Sequence, residues 1–102
     1  MKNHETMTLE ECYEALVEMG VCRRQDRRFH PRDVTLDAIA AAMPEGWIQH
    51  IVQSHRPEWA FEWGAVAFRN DDQRRCESHA DTEILARARL AVACWRASKE
   101  TP

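Results

Sequence analysis

Ala40-Ala41-Ala42-Met43-Pro44-Glu45-Gly46-Trp47 decides the fold, because it closes a helix and opens a strand within eight residues. Upstream of it, Leu36, Ile39, Ala40 and Met43 recur at helical spacing behind the Thr35 hydroxyl, which can cap the helix, and Pro44 with Gly46 stops it. Downstream, residues 47–54 fit two periods. Trp47, Ile48, Ile51, Val52 and His55 make a helical stripe, whereas Ile48, His50 and Val52 alternate with Trp47, Gln49 and Ile51 as a strand does. The β-branched and aromatic content, with the turn-like His55-Arg56-Pro57 that follows, decides for strand.

A hairpin partner follows over residues 58–69. Trp59, Phe61 and Trp63 share one face by alternation, but Val66 and Phe68 have the opposite parity, so a bulge, bend or break is expected at Gly64. Asn70-Asp71-Asp72-Gln73 reads as a turn into a polar edge strand over residues 74–78. The closing helix starts at Asp81 or Thr82, with Glu83 at its positive end, and carries the apolar stripe Ile84, Leu85, Ala88, Ala91, Val92 and Trp95. Small alanines should let this helix approach the sheet closely, with Trp95 closing one end of the core.

Toward the N-terminus, Thr8-Leu9-Glu10-Glu11 is a capping box, in which the Thr8 hydroxyl and the Glu11 carboxylate satisfy each other's backbone donors. Leu9, Cys12, Tyr13, Leu16 and Val17 then give one buried face to a helix over residues 9–19, and Gly20 supplies its left-handed exit. The expected fold class is α+β: two N-terminal helices, a small antiparallel sheet of two or three strands, and a C-terminal helix packed on the sheet. Residues 1–102 form a single domain, with 1–7 and 98–102 expected to fray.

The 102 residues, 30% charged and 44% hydrophobic, with four Trp, belong to a chain that folds rather than a disordered one. No apolar run approaches the roughly 18 residues of a membrane span, and residues 1–5 lack the hydrophobic segment of a signal peptide, so no membrane partner and a cytoplasmic location are expected. A net charge of -3 provides no overall positive field for a general nucleic-acid binder. Cys12, Cys22, Cys76 and Cys94 are read as reduced thiols, with Cys12 and Cys94 as small hydrophobes on helix faces.

The three stretches Ala40 to Trp47, Trp59 to Phe68 and Asp81 to Ala91 resemble the small α-β-β-α proteins of bacteriophage and prophage genomes, sometimes grouped as phage sandwich domains. The resemblance covers roughly the C-terminal two thirds of the chain. It implies a small accessory protein of phage origin, acting in a bacterial host, in a group that includes anti-CRISPR-type inhibitors of host defence. The N-terminal helix and the arginine loop after it depart from that pattern.

Arg23, Arg24, Arg27, Arg28 and Arg32 crowd around Phe29, five guanidiniums in ten residues that suit phosphates or a carboxylate-rich surface. With Twelve Arg against two Lys in the whole chain, the preference for Arg is general rather than special to this loop. The bland reading of the loop is a solvated connection. Trp59 and Trp63 are the other candidate contacts, since Trp and Arg dominate protein interfaces, although aromatics in a small domain more often fill its core. Glu10, Glu11, Glu14 and Glu18 line the outer side of the first helix, either as phosphate mimics or as its wet face.

Cys76-Glu77-Ser78-His79 has the spacing of half a zinc site, which Cys22 with His30, or Cys12, would have to complete. A structural site normally shows two such tight pairs, so no metal ligand is assigned. Gly20, Gly46 and Gly64 are too dispersed for a phosphate loop, and Cys76 with His79 lacks an orienting third group, so neither a catalytic residue nor a cofactor is expected. The leading expectation is a non-enzymatic protein that binds a host protein or nucleoprotein complex through the Arg23–Arg32 loop and exposed Trp. A DNA-binding regulator using the same loop and a zinc-stapled module are the rivals, and a homodimer is compatible with either charge pattern.

Overall fold

The computed structural model describes residues 3–53, 62–71 and 73–100. Its elements are α1 (Leu9–Glu18), α2 (Leu36–Ala41), β1 (Trp47–Gln53), β2 (Trp63–Arg69), β3 (Arg74–Ala80) and α3 (Glu83–Glu100), with single 3-10 turns at His4–Thr6 and Arg27–Phe29. The expected α+β class is the observed one.

Each helix starts where its capping chemistry places it. Glu11 N donates to Thr8 Oγ1 at 3.2 Å and Thr8 N donates to Glu11 Oε1 at 3.0 Å, which completes the capping box of α1. Gly20 then turns the chain with φ +75°, and Val21 N donates back to Leu16 O at 2.9 Å. Thr35 accepts from Ala38 N to start α2, and Thr82 accepts from Leu85 N to start α3.

The strands form an antiparallel meander in the order β1-β2-β3. The ladder runs without interruption from Trp47 opposite Arg69 to Gln53 opposite Trp63, and from Trp63 opposite Ala80 to Arg69 opposite Arg74. Gly64 is therefore no break: it sits in register between Val52 and His79. The parity conflict that suggested one is resolved differently, by placing Trp63, Ala65 and Ala67 on the inner face and leaving Val66 and Phe68 on the outer one. Trp59 and Phe61, which the alternation placed with Trp63, lie outside the described residues. β3 is longer than expected, extending to Ala80.

α3 lies between the sheet and the N-terminal helices. The stripe expected to face the sheet faces the other way: Leu85, Ala88, Ala91, Val92 and Trp95 pack with Cys12, Tyr13 and Leu16 of α1 and Ile39 of α2. The sheet instead receives Ala86, Leu90, Cys94 and Ala97, which meet Trp47, Ala65, Ala67 and Ala80. This second stripe escaped notice because Arg87 and Arg89 interrupt it and because alanines carry little hydrophobic weight. Trp95 accordingly closes the helical layer, donating from Nε1 to Ala42 O at 2.6 Å.

Alanines on both sides of the contact let helix and sheet approach closely. Polar tips then fasten the layers. The fully buried Ser78 hydroxyl donates to Ala86 O at 2.6 Å, and Trp47 Nε1 donates to Ser98 Oγ at 3.0 Å. Arg89 donates to Met7 O at 2.8 Å and to His79 O at 2.6 Å, tying three segments together.

Residues 3–7 and 98–100, where fraying is expected, make contacts with the rest of the fold. Met7 is buried, the His4–Thr6 turn rests on α3 and β3, and the C-terminal helix runs on to Glu100. Both ends acquire partners that lie far away in sequence, as when Lys99 Nζ donates to Met19 O at 3.0 Å.

Ala86 is fully buried at the helix–sheet contact, so Ala86→Leu is expected to cost about 1–3 kcal/mol in urea unfolding by overpacking. Leu36→Ala, at a site 38% exposed, should stay near the ±0.5 kcal/mol of ordinary surface changes.

Candidate functional site

The arginine loop is a held structure rather than a slack connection. Asp26 caps its 3-10 turn by accepting from Arg28 N, and Asp33 N and Val34 N both donate to His30 O, at 2.9 and 2.8 Å. Tyr13 of α1 donates from its hydroxyl to Arg24 O at 2.8 Å, and the Tyr13 and His30 rings sit 5.8 Å apart. Phe29 packs, partly buried, against the helical core cluster, so it anchors the loop at its centre.

Three of the five guanidiniums are matched locally. Arg24 forks onto Glu14 at 2.7 and 2.8 Å, Arg28 forks onto Asp26 at 2.8 and 3.1 Å, and Arg27 approaches Asp33 at 3.5 Å. The Arg24 guanidinium holds the Glu14 carboxyl below its ordinary range, and Arg28 does the same to Asp26. Both carboxylates are open to solvent, so these pairs orient side chains more than they stabilise the fold. Arg23 and Arg32 are exposed and have no ion pair among the described residues.

Beside the loop runs a shallow groove of ≈ 520 Å³, lined by Arg27, Arg28 and Phe29 together with Asp33, Thr35 and Asp37. Both signs of charge therefore face one hollow. The acidic side of α1 is likewise divided in use. Glu11 serves the capping box and Glu14 holds Arg24, which leaves Glu10 and Glu18 exposed beside a groove of ≈ 340 Å³ that Arg96 also lines. The contact between acidic helix and basic loop is thus made inside one chain.

Trp63 is on the inner sheet face, partly buried against the sheet-side cluster, while Phe29 belongs to the cluster on the other side of α3. The two halves of the expected contact are therefore not brought together. Trp59 lies outside the described residues.

Strand parity also separates Cys76 from His79. Cys76 is on the inner face of β3, packed with the sheet-side cluster, whereas His79 is on the outer face with its Nε2 3.1 Å from Glu77 Oε1. One ion cannot take both as ligands, and among the described residues no three His, Cys, Asp or Glu side chains are grouped to hold a metal. Cys12, Cys22 and Cys94 are buried. Burial pushes the Cys12 thiol up to about 12, and a hydrogen bond with Cys76, reinforced by burial, raises Cys94. Such thiols stay protonated and are poor nucleophiles.

A further surface was overlooked in the sequence. The outer sheet face carries Ile48 at 47%, Val52 at 56% and Phe68 at 39% exposure, with Val66 among them. Next to Gly64 it sinks into a hollow of ≈ 260 Å³ bordered by Val52, Val66, Arg75 and His79. The available signal was the even-numbered alternation Ile48, His50, Val52 and Gly64, Val66, Phe68, which marks a second face as apolar as the first. Among the described residues no helix is long and apolar enough to cross a membrane.

No family model, curated protein or solved structure matches this chain.

The raised Cys12 thiol fixes a sign for alkaline stability. The unfolded chain releases this proton near 9.0 while the folded chain keeps it to about 12, so folding stability contributed here is complete below 9.0 and is lost as pH rises toward 12. Urea unfolding at increasing pH should show this loss, and Cys12→Ala should make the decline shallower.

Proposed function

We propose that the protein is a non-enzymatic binding protein that inhibits or modulates a macromolecular complex of a bacterial host, as the resemblance to small phage accessory proteins of the anti-CRISPR type implies. The observation that carries this reading is the arginine groove. Its loop is fastened at both ends and at Phe29, so its cations are presented with little ordering left to be done on binding. Arg23 and Arg32, exposed and without an ion pair among the described residues, are the guanidiniums left to fork onto carboxylates of a protein surface.

The same groove favours a protein partner over nucleic acid. Asp33 and Asp37 line it together with Arg27 and Arg28, and Asp26 already occupies Arg28. A phosphate backbone laid there would meet carboxylates and would release few counterions. A protein surface of mixed charge would find groups of both signs in the groove. Arg23 and Arg32, exposed at the two ends of the loop, extend the contact beyond the groove.

Affinity capture from a bacterial lysate, with and without nuclease treatment, tests the proposal. The tagged chain should retain a protein complex after nuclease, and a variant with Arg23, Arg24, Arg27 and Arg28 changed to Ala should lose it with its circular dichroism unchanged. Retention of nucleic acid alone would favour the DNA-binding regulator instead.

A further inference from the structure

We infer that the outer sheet face is the interface of a homodimer, formed by a second copy of this chain stacked face to face across a two-fold axis perpendicular to the strands at Val66. An antiparallel sheet commonly leaves one face wet, but that face then reads polar at alternate positions. Here four of the six outer positions on β1 and β2 are Ile48, Val52, Val66 and Phe68. Three of these are among the large hydrophobic side chains most exposed in the structure.

The face is complementary to itself in shape. Phe68 stands on the outer face of β2, its ring flanked by the Arg75 guanidinium at 5.6 Å and the His50 ring at 6.2 Å, and four residues before it on the same strand Gly64 leaves the hollow bordered by Val52, Val66, Arg75 and His79. A two-fold through Val66, midway between them, seats each Phe68 in the other copy's hollow. The same rotation lays Ile48 of one copy over Val52 of the other, sets the two His50 rings against each other at the axis, and brings Arg75 over His79 at the edge. A two-fold parallel to the strands would instead set Ile48 against Arg75 and Val52 against His79 of the second copy, desolvating charge on apolar surface.

Charge is balanced on the rim. The Arg75 guanidinium lies 3.1 Å from the Glu77 carboxylate, so the carboxylates that approach across the axis each arrive already paired. His79 adds a second contact to each. This matches the usual order of an interface, an apolar centre with a polar edge.

The size of the face sets the strength. Three strands of seven residues cover roughly 14 by 24 Å at ordinary strand spacing and rise. That is a projected face of about 340 Å² per partner, well under half of the roughly 800 Å² that is standard, so the dimer should be weak and dissociate on dilution rather than be obligate. The helical layer points away from this interface, which puts the two arginine loops at opposite ends of the dimer. If the proposed function holds, the contact is bivalent; the dimer itself does not depend on that reading.

Sedimentation velocity of the full chain over a dilution series tests the inference. The wild-type sedimentation coefficient should rise with concentration from monomer toward dimer. Gly64→Val puts side-chain atoms into the hollow, and its Cβ meets His79 Cδ2 at 3.6 Å and Val52 O at 3.8 Å, both ordinary contacts. It should weaken association by about tenfold or more, and Phe68→Asp should do the same, each with unchanged circular dichroism. Arg27→Ala with Arg28→Ala, on the opposite layer, should dimerise as the wild type does. A wild-type chain that stays monomeric at every concentration overturns the inference. So does a dimer that survives both Gly64→Val and Phe68→Asp, or one that is lost with the arginines instead.

Discussion

Burial of α3 on both sides is the constraint from which the rest of the structure follows. A helix with one apolar stripe can rest on a single layer, whereas a helix with two must be covered twice. Ala88, Ala91 and Val92 on one side and Ala86, Leu90 and Cys94 on the other are all almost fully removed from solvent. The sheet covers one stripe, and α1 with α2 covers the other. Among the described residues the sheet has three strands and the N-terminal helices ten and six residues, and no further element covers the far side of the sheet.

That arrangement divides the surface. The arginine loop lies on the helical layer, held by Tyr13 and Phe29, which themselves belong to the core around α1. The outer sheet face lies on the other side of the molecule, where no element among the described residues covers Ile48, Val52 and Phe68. A charged, preorganised surface and an apolar one are thus presented in opposite directions.

Local ion pairing gives the arginine loop its character. Free guanidiniums on a flexible segment would form a diffuse positive cloud, attractive to any polyanion. With Glu14, Asp26 and Asp33 beside Arg24, Arg28 and Arg27, the loop instead holds oriented side chains in a locally balanced field. The thiols of Cys12 and Cys94 are buried and hold their protons, and strand parity separates Cys76 from His79.

Elements governed by local physics were legible in the amino-acid sequence. Thr8 with Glu11, Thr35, Gly20, and Pro44 with Gly46 announce helix ends because capping and turn conformations involve residues three or four apart. The α+β class followed from the change of period at Trp47. What depended on distant partners was not legible. Which stripe of α3 faces the sheet was decided by the fit of alanines on both surfaces, and alanine spacing says little about what lies opposite. Val66 and Phe68 looked like signs of a break at Gly64 because their burial was assumed, whereas the sheet leaves them on its open face. The order of residues 3–7 and 98–100, and the pairing of Glu14 with Arg24, likewise arise from contacts across the fold. Sequence determined where the elements begin and end, since those signals act over one turn of chain; tertiary packing decided which faces are buried, since burial is set by whatever surface arrives to cover them.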